Sequence, residues 1–226
     1  MRPPKDRSAP RLAPSLLSAD FADIRGQIAL VEAAGADRLH IDVMDGRFVP
    51  NITWGPKIVG DLRKLSALPF DVHLMIVEPE RYVDGFVAAG ADILSVHWEA
   101  TVHAHRLVEQ IKRAGARAGL AVNPGTSLGV LDDIFPYIDL LLIMSVDPGF
   151  GGQPYIPTST SKVSAARRLI DHRKLEVEIE VDGGVELANV AEVAAAGADT
   201  VVMGAGIFQT PDPALTMRLV REACAR

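Results

Sequence analysis

A five-residue phrase, Ala-Ala-Gly-Ala-Asp, occurs three times, with its glycine at Gly35, Gly90 and Gly197, and a variant, Arg-Ala-Gly-Ala-Arg, surrounds Gly115. Each copy is followed at once by an apolar run of strand length. Glycine at such a point closes a helix in the left-handed conformation and turns the chain into the next strand. The spacings then set a count. Gly90 and Gly115 are 25 residues apart, about one strand plus one helix, whereas the intervals of 55 from Gly35 to Gly90 and 107 from Gly90 to Gly197 hold about two and four such units. Seven units therefore span the second to eighth strands, and the segment before Gly35 adds an eighth.

On this frame the strands fall at 11–17, 38–44, 70–75, 93–97, 117–122, 140–146, 176–181 and 200–203. Helical patterns follow most of them. Phe21, Ile24, Ile28 and Val31 share one face behind a Ser18-Ala19-Asp20 cap, and further helices are predicted over 81–89, 102–114, 159–172, 187–196 and 213–225, with weaker patterns over 54–65 and 127–135. Strict alternation implies a parallel sheet, and eight units closing on themselves make a single-domain (β/α)₈ TIM barrel over residues 11–226. An open doubly wound sheet is the alternative; it normally carries a glycine-rich turn after its first strand, and Pro14-Ser15-Leu16-Leu17-Ser18 has none. Residues 1–10 are proline-rich and charged, with nothing to bury, and read as a disordered lead-in.

With 226 residues and 48% hydrophobic content the chain can bury one sizeable core. A formal net charge of −6 argues against nucleic-acid or anionic-membrane partners, although a local pocket can still hold a phosphate. The lone cysteine, Cys224, has no internal disulfide partner, which fits a reducing compartment. No apolar run is long enough for a signal peptide or a membrane span, so the cytoplasm is the expected location.

Within the second strand, Leu39, Ile41 and Val43 alternate with His40, Asp42 and Met44, placing an imidazole and a carboxylate on one face. The opposite face is aliphatic, as in a strand buried on both sides, so the polar face needs a reason to be desolvated. A bound metal is one reason; a hydrogen-bonded core pair is the other. Two more strands repeat the polarity: Asp71-Val72-His73-Leu74-Met75 brings His73, and Asp182 ends the seventh strand before Gly183-Gly184. Two imidazoles and two carboxylates from three strand ends can converge on one divalent ion, at the barrel end where such enzymes work. The bland alternative is a set of separate, satisfied polar residues. His97, ending the fourth strand, is either a further pocket residue or a support for one, and His103, His105 and His172 read as solvated helix residues.

After the sixth strand the chain reads Asp147-Pro148-Gly149-Phe150-Gly151-Gly152-Gln153. Closely spaced glycines let backbone N–H groups approach an anion. Such a loop is weak evidence alone, but Gly183-Gly184 and Gly204-Ala205-Gly206 follow the seventh and eighth strands, where barrels commonly bind phosphate. The expected ligand is a small phosphorylated molecule whose other end reaches the metal.

Taken together, these motifs resemble those of the ribulose-phosphate 3-epimerase family from Leu12 to about Phe208. The resemblance rests on Ala13-Pro14-Ser15-Leu16-Leu17-Ser18-Ala19-Asp20-Phe21, the strand from His40 to Gly46, Phe48-Val49-Pro50-Asn51, Asp71 to Met75, the loop from Asp147 to Gln153, and Val181 to Gly184. It implies a barrel of the ribulose-phosphate-binding type that interconverts D-ribulose 5-phosphate and D-xylulose 5-phosphate, uses one divalent metal ion (Zn²⁺, Fe²⁺, Co²⁺ or Mn²⁺) and assembles as a homo-oligomer. Position by position, it implies His40, Asp42, His73 and Asp182 as metal ligands and Asp42 and Asp182 as the acid/base pair. Ser15, His73 and Asp182 would touch substrate, and Gly149, Phe150, Gly151, Gly152, Gly183, Gly184, Gly204 and Ala205 would line its phosphate end. Two departures stand out. The lead-in is long for the family, and Ala205 stands where serine is common.

Inverting C3 of a 2-keto sugar removes a proton from one face and returns one to the other, which two carboxylates on different arcs of a barrel can do. Met44, Met75 and Met144 are either an apolar wall around the reacting carbons or ordinary core. The nearest rival function is a 3-epimerase of a hexulose 6-phosphate such as allulose 6-phosphate, which shares the reaction centre. A non-catalytic sugar-phosphate-binding barrel is the rival from another class.

Overall fold

The computed structural model describes residues 9–225. Eight strands, β1 (Arg11–Pro14), β2 (Leu39–Met44), β3 (Phe70–Met75), β4 (Ile93–His97), β5 (Arg117–Val122), β6 (Leu140–Met144), β7 (Glu178–Asp182) and β8 (Thr200–Met203), pair in parallel in the order β1-β8-β7-β6-β5-β4-β3-β2. A single parallel bridge between Ser15 and His40 brings the two ends of this sheet together. Around it lie α1 (Ile24–Ala33), α2 (Pro56–Arg63), α3 (Val83–Ala88), α4 (Ala104–Ala114), α5 (Thr158–Arg173), α6 (Val190–Ala195), α7 (Ala205–Phe208) and α8 (Pro213–Cys224). The fold is the expected TIM barrel. The lead-in expected over residues 1–10 lies, but for Ala9 and Pro10, outside the described residues. Among the described residues no helix is long and apolar enough to cross a membrane.

The repeated phrase does two jobs. Its glycines take φ values of 89° at Gly35, 108° at Gly90 and 113° at Gly197, and the following alanine N–H reaches back to close the helix, as from Ala36 to the Val31 carbonyl at 2.9 Å. Its aspartates set the strand register. Asp37, Asp92 and Asp199 each accept the main-chain N–H of a residue on the preceding strand, Leu12, Phe70 and Ile179, at 2.7–2.8 Å, and each donates its own N–H to that residue's carbonyl. Asp139, without the glycine, does the same to Ala118. Each carboxylate also meets a helix cation: Asp37 with Arg221, Asp92 with Arg63, Asp139 with Lys112 and Asp199 with Arg167. These clasps sit ahead of β2, β4, β6 and β8.

Several elements differ from expectation at their ends. The first strand stops at Pro14 rather than residue 17, because Ser15 caps a 3₁₀ turn, Leu16–Ser18, with its hydroxyl. Phe21 does not join the buried face of the first helix. Asp20 opens a short 3₁₀ turn, Phe21–Asp23, that leaves Phe21 53% exposed against the Trp54 ring, and Asp23 caps α1 anew. The weak helix over 127–135 resolves into 3₁₀ turns, Leu128–Leu131 and Phe135–Tyr137, where Gly129 and Pro136 disfavour a longer α-helix. The short α7 is an element that the sequence pattern does not predict.

The barrel interior is divided. Leu39, Ile41 and Val43 face outward into the layer between sheet and helices, while Ile93, Ala121, Leu140, Leu142 and Met144 form a separate apolar cluster inside. Met44 and Met75 lie near the barrel mouth, and much of the remaining interior is polar. Arg38, 3% exposed, directs Nη1 at Asp71 Oδ2 (3.2 Å) and Glu180 Oε2 (3.1 Å) and Nη2 at Glu178 Oε1. Glu178 is also met by Arg11, Arg117 and Thr200. Removing one partner of such a buried cluster strands the others, so Arg38→Met is expected to cost about 3–5 kcal/mol of stability in urea unfolding. A loss under about 1 kcal/mol would show that these carboxyl groups do not depend on the guanidinium.

Candidate active site

Register brings the polar side chains of neighbouring strands side by side. His40 pairs with Asp71, Asp42 with His73 and Met44 with Met75 across β2 and β3, and Met144 pairs with Asp182 across β6 and β7. At the carboxyl ends of the strands His40, Asp42, His73 and Asp182 each offer a ligand atom, all within 4.8 Å of one another. His73 Nδ1 lies 3.1 Å from Asp42 Oδ1 and 3.8 Å from Asp182 Oδ2. His40 Nε2 lies 3.4 Å from the same Asp42 oxygen and 4.0 Å from Asp182 Oδ2. Both histidines are fully buried beneath the cavity, whereas the Asp182 side chain is 15% exposed.

Two features of this cluster suit a cation. Both ring nitrogens of His40 are buried without a hydrogen-bond partner: Nε2 faces the cluster, and Nδ1 sits 3.4 Å from Glu180 Oε1 and 3.6 Å from Asp71 Oδ2. His73 adds a second. Its Nε2 is 2.9 Å from His97 Nε2, and His97 Nδ1 is 3.3 Å from Glu99 Oε2. Burial pushes Glu99 up, but its bonds to His97, Thr126 and the Asn123 N–H hold it at about 2, so an ionised carboxylate stands beside His97 Nδ1. The chain from Glu99 through His97 sets the plane of the His73 ring and turns its Nδ1 toward Asp42 and Asp182. His40 Nε2 and His73 Nδ1 thus face the same two carboxyl groups. The four residues fit a divalent ion bound by mixed nitrogen and oxygen donors.

The two carboxyl groups of the cluster differ in proton affinity. Burial would raise Asp42, but the rings of His40 and His73 beside it hold it well below the usual carboxylate range. Asp182 is pushed up to about 7, by burial first and then by the charge on Asp42. For His73 burial dominates and lowers it to about 4, while His40, despite burial, is drawn upward by Asp42. Proximity to a shared charge thus separates two chemically identical groups.

Supports for Asp42 come from three places. Ser15 Oγ donates to Asp42 Oδ2 at 2.6 Å, while Thr53 Oγ1 and Trp54 Nε1 both donate to the Asp42 carbonyl at 2.8 Å. Thr53, Trp54 and Glu99 lie outside the strand-end motifs, and no periodic signal marks them. Ser145 is another such residue, with its hydroxyl 2.9 Å from the Asp182 carbonyl and 2.6 Å from that of Gly183.

Above the cluster a cavity is lined by Ser15, Asp42, Asp182, Gly149, Phe150, Gly151, Gly152, Gly183, Gly184, Gly204 and Ala205, so the two predicted aspartates and the three small-residue turns share one space, whereas His40 and His73, the latter expected to touch substrate, lie beneath it and do not line it. Met44, Met75 and Met144 are buried and also line it. Gly184, at φ 63°, brings its α-carbon against the next loop: a Cβ there would stand 2.4 Å from the Tyr155 nitrogen. Gln153 Nε2 donates to the carbonyls of Asp147 and Phe150 and Asn51 Nδ2 to that of Gly149, which holds the loop after β6 in shape. His103, His105 and His172 are exposed and remote from the cluster.

Comparison with known proteins bears on the fold and the family. The solved structure of KGPDC from Streptococcus mutans superposes with a TM-score of 0.71 over 96% of this chain and 98% of its own at 16% identity, which speaks for the fold alone. Ribulose-phosphate 3-epimerase of Synechocystis is 51% identical over 94% of this chain and 93% of its own length. The Escherichia coli K12 protein of the same name is 48% identical over 89% and 90%. The profile of the ribulose-phosphate 3 epimerase family matches residues 11–208, nearly the whole barrel, and the chain therefore belongs to that family.

Proposed function

We propose that this chain interconverts D-ribulose 5-phosphate and D-xylulose 5-phosphate by moving a proton at C3. The observation that carries this reading is the pair Asp42 and Asp182, on β2 and β7, in one cavity and with their proton affinities pushed apart. Asp42, ionised, takes the C3 proton from one face of the sugar. Asp182, which holds its proton near neutral pH, delivers one to the other face, and the roles exchange in the reverse direction. Ser15 donates to Asp42 Oδ2 and so leaves the other oxygen, Oδ1, facing the histidines. Met44, Met75 and Met144 keep water from the exchanging carbon. Neutral His73, held through His97 and Glu99, presents Nδ1 to the reaction centre.

His40, Asp42, His73 and Asp182 would hold the divalent ion. When bound, it supplies positive charge where the enediolate develops. The turns after β6, β7 and β8 would receive the phosphate through main-chain N–H groups. Zinc, iron(II), cobalt and manganese are all compatible with this donor set. A homo-oligomeric assembly and a cytoplasmic setting belong to the same reading, the first from the family and the second from composition.

The direct test is exchange of the C3 hydrogen of D-ribulose 5-phosphate in deuterated water, together with relative turnover of allulose 6-phosphate; the five-carbon sugar is expected to be the better substrate. Asp42→Asn and Asp182→Asn are each expected to abolish epimerisation, since either change removes the base for one face. Activity within tenfold of the parent in either variant would refute the two-base assignment. His73→Ala is expected to lower the metal content of protein purified without added metal, because it deletes one donor of four. Full occupancy by elemental analysis would remove His73 from the ligand set.

A further inference from the structure

One polar group on the cavity wall has no part in the chemistry above. Ser18 ends the 3₁₀ turn Leu16–Ser18 that follows β1 and lines the cavity. Its main-chain N–H donates to the Ser15 carbonyl at 3.3 Å, but among the described residues its hydroxyl has no hydrogen-bond partner. Its position is tightly set. A Cβ on Gly204 would stand 2.6 Å from Ser18 Oγ, and one on Gly151 would stand 3.2 Å from it, so the hydroxyl is wedged between the turns after β8 and β6. The same corner contains Gly152, whose Cβ would lie 4.0 Å from that of Ala205. Three glycines and an alanine methyl offer an anion only main-chain donors. Ser18 adds a side-chain donor.

We infer that Ser18 donates its hydroxyl hydrogen to the phosphate of the bound sugar, so that the turn after β1 completes an anion site otherwise built from the loops after β6 and β8. The inference rests on the proposed function for its ligand class, a sugar monophosphate. The glycines give the geometry a purpose. A side chain on Gly204 or Gly151 would displace the hydroxyl, and their absence lets Ser18 reach between two turns. A hydrogen bond to a charged group is of the stronger kind, and phosphate lies far from C3, so the contact is made equally before and during proton transfer.

Ser18→Ala keeps the Cβ that packs in the corner and removes only the hydroxyl. It is expected to raise KM for D-ribulose 5-phosphate fivefold or more with kcat within twofold of the parent, the split that uniform binding predicts. Inorganic phosphate, titrated calorimetrically against the metal-loaded protein, is expected to bind the variant more weakly by a similar factor. A change under fivefold in both measurements overturns the inference, as does a fall in kcat larger than the rise in KM, which would mark Ser18 as a spacer for the turns. Failure of the parent to exchange the C3 hydrogen would instead overturn the epimerase reading, and the phosphate titration would still decide the role of Ser18.

Discussion

The barrel depends on a clasp made four times: an aspartate at the foot of an even-numbered strand accepts the main-chain N–H of the odd-numbered strand before it and meets a cation from a helix. Side chains alternate between faces along a strand, so a slip of one residue would turn every inward group outward. The clasp fixes this register independently of what the interior contains. That independence matters because the interior is not a uniform apolar plug. On one side it carries Ile93, Ala121, Leu140, Leu142 and Met144, and on the other a column of charged and imidazole groups.

That column is ordered by charge from floor to mouth. Arg38 pairs with Asp71, Glu178 and Glu180, and above it His40 sits between Asp71 and Glu180 on one nitrogen and Asp42 and Asp182 on the other. Burial and the charge of Asp71 push Glu180 up to about 8, whereas Asp71, despite burial, is held low by His40 and Arg38. The same alternation recurs at the mouth with Asp42 low and Asp182 high. A buried stack of acids is tolerable only if protons and cations are shared out along it, and that sharing is what sets Asp42 and Asp182 apart in proton affinity.

Much of this is legible in the sequence because it follows a period. Glycine spacing sets the number of units, alternation along β2 and β3 puts His40, Asp42 and His73 on one face, and Asp182 stands at the end of the seventh strand. The repeat reads there only as a helix stop, however, and the register role of its aspartates stays hidden, since nothing local says that Asp37 will meet Leu12 or that Asp139, lacking the glycine, belongs with the others. Thr53, Trp54, Ser145 and Glu99 escape for a related reason. They act across loops on main-chain atoms or on another histidine, and such contacts leave no periodic trace. Phe21 misleads because two successive aspartate caps break one apparent helix into two.

Ser15 joins two tasks in one residue. Its main chain bridges to His40 and closes the seam between β1 and β2, while its hydroxyl holds Asp42 Oδ2. Among the described residues, above the Asp37–Leu12 clasp at its foot, the seam has this one bridge where the other strand pairs have continuous ladders. A barrel that parts there loses the hydroxyl that orients Asp42 in the same event, even with every remaining strand in place. With Asp42 as the proposed base, activity becomes a gauge of closure and should fade on warming with the local breathing of this seam, ahead of the loss of secondary structure.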